Sequence, residues 1–380
     1  MKAYQLSIPT KVYFGRNILE EALEACNEYL KGNILVVTTG RSLVKMGHLD
    51  RLRKGILRFG NVNEIIFCQE ISANPRLSEI QKGITMGKQK KADVVVGFGG
   101  GSALDAAKAI AAGVGMDIDI YDIFRKGLEP SKTTLPIMAI PTTAGTGSEL
   151  SKAAIITDEE QGKKGGIRGA ALYPSAAIVD SAFTETIPFR VTMDTGFDVL
   201  AHAIETYISK AATPFTEMLS EQAIKIVGEY LPRLAGNLDD AEARKKMSFA
   251  SMIMGINLGN ASTCLPHRMQ YPVGAHTDTS HGAGLAVMYP TWIKYEYEYS
   301  REKTEHIFHL LLNESCCSGE RAFELMSGFL DKLQIYQPLR ELGITQEMTA
   351  AMAAEVTGNI HNDPAADEHD IIRKIYRGSL

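Results

Sequence analysis

The sequence predicts a parallel α/β domain followed by an all-helical domain. Three observations lead there. At 380 residues the chain exceeds one ordinary core, so two domains are expected. In the first half, short apolar β-branched runs alternate with helix-like stretches. After about Pro188 only helical patterns remain.

Taken in order, NILVVTT (33–39), NEIIFC (63–68), DVVVGFG (93–99), PIMAIPTT (136–143) and AAIVD (176–180) read as strands. They are apolar throughout, as expected when both faces of a sheet are covered. ILEEALEACNEYL (18–30) and PRLSEIQKGITMGKQK (75–90) read as helices between strands, and strand–helix–strand repetition predicts a parallel sheet. The helical half follows with DVLAHAIETYISKA (198–211), FTEMLSEQAIKIVGEYL (215–231), ARKKMSFASMIMGINLG (243–259), RAFELMSGFLDKL (321–333) and DIIRKIY (370–376). The join falls near residues 181–190, giving domains 1–185 and 186–380, with no internal repeat.

Composition narrows the function classes. Hydrophobic residues at 45% and charged residues at 22% fit a soluble globular enzyme. The net charge is −5 without a basic block, which argues against nucleic acid. No apolar run approaches the roughly 18 residues that span a bilayer, and MKAYQLSIPTKVYFG lacks the apolar core of a signal peptide. The five cysteines are odd in number and lack CxxC spacing, so reduced thiols and a cytoplasmic location are expected. Cys264 lies near a histidine-rich stretch; it reads as a buried thiol or as a ligand.

Two loops invite a phosphate. VVVGFGGGSALDAAKAIA (94–111) runs strand, glycines, helix. Gly99, Gly100 and Gly101 allow a tight turn and close approach of a ligand, and the helix start offers free N–H groups to an anion. Ser102 and Asp105 have capping-box-like spacing. The plainer reading is a tight strand-to-helix connection, since GGGS is not GxGxxG. PTTAGTGSEL (141–150) supplies hydroxyls from Thr142, Thr143, Thr146 and Ser148 just after another strand. Ordinary turn chemistry explains it equally well, but ligands of open α/β sheets collect at the carboxyl ends of strands.

A metal site is suggested by FDVLAHAIETYIS (197–209). Asp198 and His202 stand four apart on one helical face, where a carboxylate and an imidazole can grip one ion. Glu205 follows on the same side, placed to orient a ligand. Leu200, Ala201, Ala203 and Ile204 surround the pair, and polar groups amid apolar neighbours need partners or an ion. In PHRMQYPVGAHTDTSHG (266–282), His267 and His281 are separated by a Pro-Val-Gly-Ala turn segment and can complete a set of three histidines and one carboxylate. Such N/O ligands suit Zn²⁺ or Fe²⁺ and disfavour Ca²⁺ or Mg²⁺. His276 has no evident partner and reads as structural or pocket-lining.

Together, GGGSALDAAK, PTTAGTGSE, DVLAHAIETYIS and the His267–His281 spacing resemble the iron-dependent (group III) alcohol dehydrogenase family, in order and distance over nearly the whole chain. The resemblance implies a Rossmann-like dinucleotide-binding domain and an all-α metal-binding domain, the dehydroquinate synthase-like fold. It implies Asp198, His202, His267 and His281 as ligands of Fe²⁺ or Zn²⁺. It implies Gly100, Gly101 and Ser102 at a pyrophosphate, Asn74 near a ribose, and Thr142, Thr143, Thr146 and Lys164 as further contacts of NAD(H) or NADP(H). The implied reaction is hydride transfer between the nicotinamide and the carbonyl carbon of a short aldehyde, in a homodimer or larger homo-oligomer.

Two departures stand out. NAD-preferring relatives place an aspartate after the first long strand; here Gly40 stands there, followed by Arg41 and Ser42, which leaves NADP open. Many relatives place a histidine four residues after the third ligand; here it is Tyr271, whose hydroxyl could serve a proton relay. Arg268, beside His267, and Arg168, expected in the loop after Lys164, could hold an anionic aldehyde such as sulfoacetaldehyde, and His276 could join them. Each arginine also reads as a surface or packing cation. Two rivals are a sugar-phosphate cyclase of the dehydroquinate synthase kind, which would want a glutamate ligand and more phosphate-binding cations, and a non-catalytic protein with a structural zinc, which would favour cysteine ligands.

Overall fold

The computed structural model describes residues 3–40, 42–116 and 118–380. The chain divides into two compact units, Ser7–Thr186 and Ile187–Leu380, with the segment ending at Leu6 grouped with the second.

In the first unit the strands are β1 (Lys11–Gly15), β2 (Lys31–Thr39), β3 (Asn61–Ile71), β4 (Val94–Gly99), β5 (Ile137–Pro141), β6 (Ala153–Asp158), β7 (Lys163–Arg168) and β8 (Ala176–Asp180). The helices are α1 (Leu19–Ala25), α2 (Ser42–Lys45), α3 (His48–Phe59), α4 (Leu77–Gln89), α5 (Gly101–Gly115) and α6 (Ile120–Arg125). Six strands form one sheet in the order β1-β8-β5-β4-β2-β3, every pair parallel. The register sets Leu35, Val95 and Ile137 side by side, and Val36, Val96 and Met138 beside them. The first trio enters one apolar layer and the second trio the layer on the opposite face. Alternate residues of one strand therefore feed two cores, which is why the strands are continuously apolar.

From β2 the chain moves outward to β3, then crosses back to β4 on the other side of β2 and on to β5. Such a reversal is where open α/β sheets bind ligands, at the carboxyl ends of the strands. The ends of β2, β4 and β5 carry Gly40, the glycine turn and the threonine loop respectively.

Three strands lay beyond the sequence expectation. β1 is a short, half-exposed edge strand. β6 and β7 form a separate antiparallel pair; β6 alternates buried and half-buried residues, and KKGGIR of β7 has no apolar run. Lys164 and Arg168 therefore both stand on a strand, whereas Arg168 was expected in a loop. The helix expected over 18–30 stops at Ala25 and gives way to a single tight turn, Asn27–Tyr29.

The second unit is helical: α7 (Phe189–Ile208), α8 (Pro214–Gly236), α9 (Ala241–Asn260), α10 (Leu265–Thr277), α11 (His281–Ala286), α12 (Tyr289–Glu296), α13 (Arg301–Leu312), α14 (Gly319–Lys332), α15 (Gln346–Glu355) and α16 (Ile371–Gly378). α7 is its central element, buried almost continuously from Thr192 to Ile208. The Pro-Val-Gly-Ala segment expected to turn lies within α10, Pro272 included. Among the described residues no helix is long and apolar enough to cross a membrane.

Candidate metal centre and cofactor loops

Asp198 and His202 project from one face of α7 and are almost fully buried. His267 lies in the first turn of α10, which Pro266 opens, and His281 is the first residue of α11. Three imidazole nitrogens surround one carboxylate oxygen. From Asp198 Oδ1 the Nε2 atoms of His267, His281 and His202 lie at 3.5, 3.6 and 3.7 Å. Asp198, His267 and His281 offer ligand atoms within 4.8 Å of one another, and the His202 ring stacks on that of His267 with centroids 4.5 Å apart.

The separations of Asp198, His267 and His281 fit an ion, while His202 meets Asp198 and stacks on His267 but falls outside that mutual set. Ligands about 2.1 Å from a tetrahedral centre stand roughly 3.4 Å from each other. Asp198 Oδ1 and His267 Nε2 are buried and accept or donate no hydrogen bond within the described residues, a costly state that a shared cation relieves. Burial alone would raise the Asp198 pKa, but His202, His281 and His267 together outweigh it and hold the carboxyl below the ordinary range. Burial likewise opposes charge on His267, and Glu205 and Asp198 overcome it, raising its pKa to about 10.

Outer partners set the tautomers. His267 Nδ1 donates to Glu205 Oε1 at 2.6 Å, and His281 Nδ1 to Gln270 Oε1 at 2.6 Å. Both rings thus turn Nε2 toward Asp198, as a metal requires. Glu205 also accepts the Cys264 N–H at 2.8 Å, and Leu265 N donates to Asp363 Oδ2 at 2.9 Å, so two buried acids fix the start of α10. Ser280 donates to Asp194 Oδ2 at 2.6 Å, one turn before Asp198 on α7. A Cβ on Gly282 would stand 1.9 Å from the Asp194 carbonyl oxygen, so only glycine lets α11 lie this close to α7.

Glu205 was legible in the sequence as an orienting group. Gln270, Asp194, Ser280 and Asp363 were not. A signal existed for Asp194: with Asp198 and His202 it makes a stripe of ionisable side chains at intervals of four along one helix.

Other expected site residues in this unit take varied places. Tyr271 is buried one turn beyond His267, and its hydroxyl accepts from Arg268 Nη1 at 3.1 Å. Arg268 is only 3% exposed, not a surface cation; among the described residues it meets no carboxylate, and its Nε has no hydrogen-bond partner. His276 is exposed in the last turn of α10 and pairs with Glu355 at 2.8 Å. The Cys264 thiol is no ligand either; it donates to the Glu205 carbonyl at 3.3 Å, and burial pushes its pKa well up.

In the α/β unit the expected cofactor residues converge. The glycine turn and the threonine loop abut, with Thr142 N donating to the Gly99 carbonyl at 2.9 Å. A Cβ on Gly101 would meet Thr146 Cγ2 at 2.4 Å, so glycine is required there. Ser102 donates to the Ala73 carbonyl, and Lys164 Nζ donates to Asn74 Oδ1 at 3.0 Å. The Ser102–Asp105 capping box does not form. Gly100 caps α5, and Asp105 instead accepts from Ser148 Oγ and Ile155 N. Gly40 ends β2 with nothing within 4 Å of where its Cβ would stand; Arg41 lies outside the described residues. Arg168 is exposed at the end of β7.

Comparison with known proteins agrees with this arrangement. Residues 9–181 match the family model for iron-containing alcohol dehydrogenase, and residues 192–380 match the Fe-containing alcohol dehydrogenase C-terminal model. NADH-dependent butanol dehydrogenase A of Clostridium acetobutylicum is 30% identical over 99% of this chain and 100% of its own length. The aldehyde-alcohol dehydrogenase of Streptococcus pneumoniae is 33% identical over 80% of this chain, which spans 37% of that longer protein. The crystal structure of sulfoacetaldehyde reductase from Bifidobacterium kashiwanohense in complex with NAD⁺ superposes with a TM-score of 0.88 at 26% identity, over 100% of this chain and 99% of that one. This chain belongs to the iron-containing alcohol dehydrogenase family.

Proposed function

We propose that the chain is a metal-dependent alcohol dehydrogenase that interconverts a short aldehyde and its alcohol with NAD(H) or NADP(H). The observation that carries this reading is the ring of three imidazole nitrogens around Asp198 Oδ1. When bound, Fe²⁺ or Zn²⁺ polarises a carbonyl oxygen as a Lewis acid and the nicotinamide supplies hydride to its carbon. The chain's own residues do the rest. Asp198, His202, His267 and His281 hold the ion, and Glu205 and Gln270 keep two of the rings in the right tautomer. Gly100, Gly101 and Ser102 meet the diphosphate at the start of α5, with Asn74, Lys164, Thr142, Thr143 and Thr146 around it. Tyr271 stands where relatives carry a relay histidine, and its hydroxyl oxygen accepts from the Arg268 guanidinium. A cyclase or a structural-zinc protein fits less well, since the acid ligand is an aspartate and no cysteine reaches the set.

The substrate we infer is anionic. A buried guanidinium without a carboxylate is costly, and a sulfonate or carboxylate on the aldehyde would supply the missing charge to Arg268. The likeness to a sulfoacetaldehyde reductase supports the same class. Arg268→Met should lower kcat/KM for sulfoacetaldehyde on the order of a hundredfold, about 3 kcal/mol, and leave propanal within a few-fold. A wild-type preference for propanal would reject the anionic substrate while leaving the reaction class standing. The panel is run with NADH and NADPH, on protein reloaded with each metal. A homodimer is the assembly we favour, since Tyr4, Leu6 and Ile8 expose apolar side chains at alternate positions, with Val12 exposed beyond them. A cytoplasmic location fits five cysteines that are all free thiols.

A further inference from the structure

We propose that Lys108, together with Asp105, is a positioning residue for the dinucleotide, clamping the threonine loop onto α5 so that the loop and the glycine turn bind as one surface. The proposal rests on the reading of these two loops as the cofactor site.

Lys108 lies in the middle of α5 and is fully buried, on a helix whose neighbours Ala107, Ala109, Ile110 and Ala111 are buried too. Its Nζ reaches Ser148 Oγ at 2.8 Å, the Ser151 carbonyl at 2.9 Å, Ser151 Oγ at 3.1 Å and the Ala153 carbonyl at 2.9 Å. Asp105, one turn earlier, accepts from Ser148 Oγ at 2.6 Å and from Ile155 N at 2.9 Å. All these bonds run from α5 to the segment 148–155. Ser148 is held from both sides: its proton goes to Asp105 and its lone pair receives Lys108, so the hydroxyl cannot rotate.

A charge in an apolar helix face needs a reason, because a well-packed hydrophobic residue is usually cheaper there. The loop supplies it. TTAGTGS (142–148) holds no side chain larger than threonine, so apolar packing cannot anchor it. The carbonyls of Ser151 and Ala153 would be orphaned inside the unit without a donor. The ammonium satisfies both and draws the loop in toward α5. Its position matters to the cofactor because Thr146 sits where a Gly101 side chain would be. If the loop slips by an ångström, the hydroxyls no longer face the anion site at the start of α5. Burial pushes Lys108 down to about 8, with Asp105 and Glu149 favouring its charged form. Glu149, buried on the same segment, is pushed up to about 7 by burial.

The test compares Lys108→Met, Ser148→Ala and Gly101→Val on metal-loaded full-length protein, with NADH and NADPH each titrated in turn. A clamp predicts that Lys108→Met and Ser148→Ala each raise the cofactor KM at least tenfold, with kcat at saturating cofactor within threefold and bound metal unchanged. Gly101→Val should abolish cofactor binding outright. If Gly101→Val loses binding while both other variants keep the wild-type KM, the clamp is wrong and the cofactor site stands. If all three bind as wild type does, the cofactor reading fails and the clamp with it. A fall in kcat at unchanged KM also overturns the proposal. Should Lys108→Met not fold, Ser148→Ala decides, since it removes a single hydroxyl.

Discussion

The two units of this chain build their sites from opposite materials. In the helical unit the site is made of side chains that carry or can carry charge, buried on α7 and α10 and half-buried on α11, and pointed at one carboxylate oxygen. In the α/β unit it is made of glycines, hydroxyls and backbone N–H groups at strand ends, packed so closely that a Cβ on Gly101 would meet Thr146. The first arrangement is electrostatically incomplete without a cation. The second is already so closely packed that it has no room for an added side chain. The difference teaches where each unit is fragile: the helical site fails when a donor atom is removed, the α/β site when an atom is added.

The strongest test of this contrast crosses the two kinds of change. His267→Ala or Asp198→Ala should empty the site of metal and cost on the order of a thousandfold or more in kcat/KM, about 4 kcal/mol of transition-state stabilisation. Gly101→Val should keep its metal while losing the dinucleotide. Metal content by elemental analysis and cofactor binding by fluorescence read the two independently. A His267→Ala protein that retained one equivalent of metal and full turnover would break the comparison.

A smaller effect sharpens it within the helical unit. Glu205 and Gln270 each orient one imidazole, yet only Glu205 brings a charge. Loss of such an outer partner typically weakens metal binding about 10–100-fold. Glu205→Leu should fall at the severe end and Gln270→Leu at the mild end, as measured by competition with a chelator. Equal losses would mean that ring orientation, not charge, is what these partners contribute.

The same contrast decides how much could be read from the sequence. The ligands on α7 were legible because helical geometry turns a spacing of four into one face. The parallel strands were legible because burial on both faces leaves an unbroken apolar run. Gln270 was hidden because nothing distinguishes an amide that orients a ring from one that meets water. Lys108 was hidden because its partners, Ser148 to Ala153, lie some forty residues away. The hairpin β6–β7 was missed because KKGGIR carries a strand through backbone pairing with β6, not through its own apolar character. Local periodicity reports what a residue buries, and long-range partners decide what a polar residue is for.

The smallest expected effect concerns a buried acid pair in the helical unit, Glu296 and Asp363. Asp363 accepts from Leu265 N, Trp292 Nε1 and Ala365 N at 2.9, 3.0 and 2.9 Å, three donors that favour its ionised form. Glu296, also buried, receives only Ser300 Oγ, and its Oε2 has no such donor. Burial, and then the neighbouring Asp363, push the Glu296 pKa far above the carboxylate range. The fold therefore keeps a proton on this pair after the unfolded chain has released it. More protons bound in the native state mean stability that is full below the ordinary glutamate pKa and declines as pH rises above it, by at most about 1.4 kcal/mol per pH unit for one proton. Glu296→Gln replaces the retained proton with a permanent amide donor toward Asp363, so its urea midpoint should fall less than that of the wild type between pH 6 and pH 8. The metal site should keep its affinity, since Asp363 still caps α10. Parallel slopes for the two proteins would show that the pair holds no extra proton, and that buried acids in this unit are as fully ionised as the one that faces the histidines.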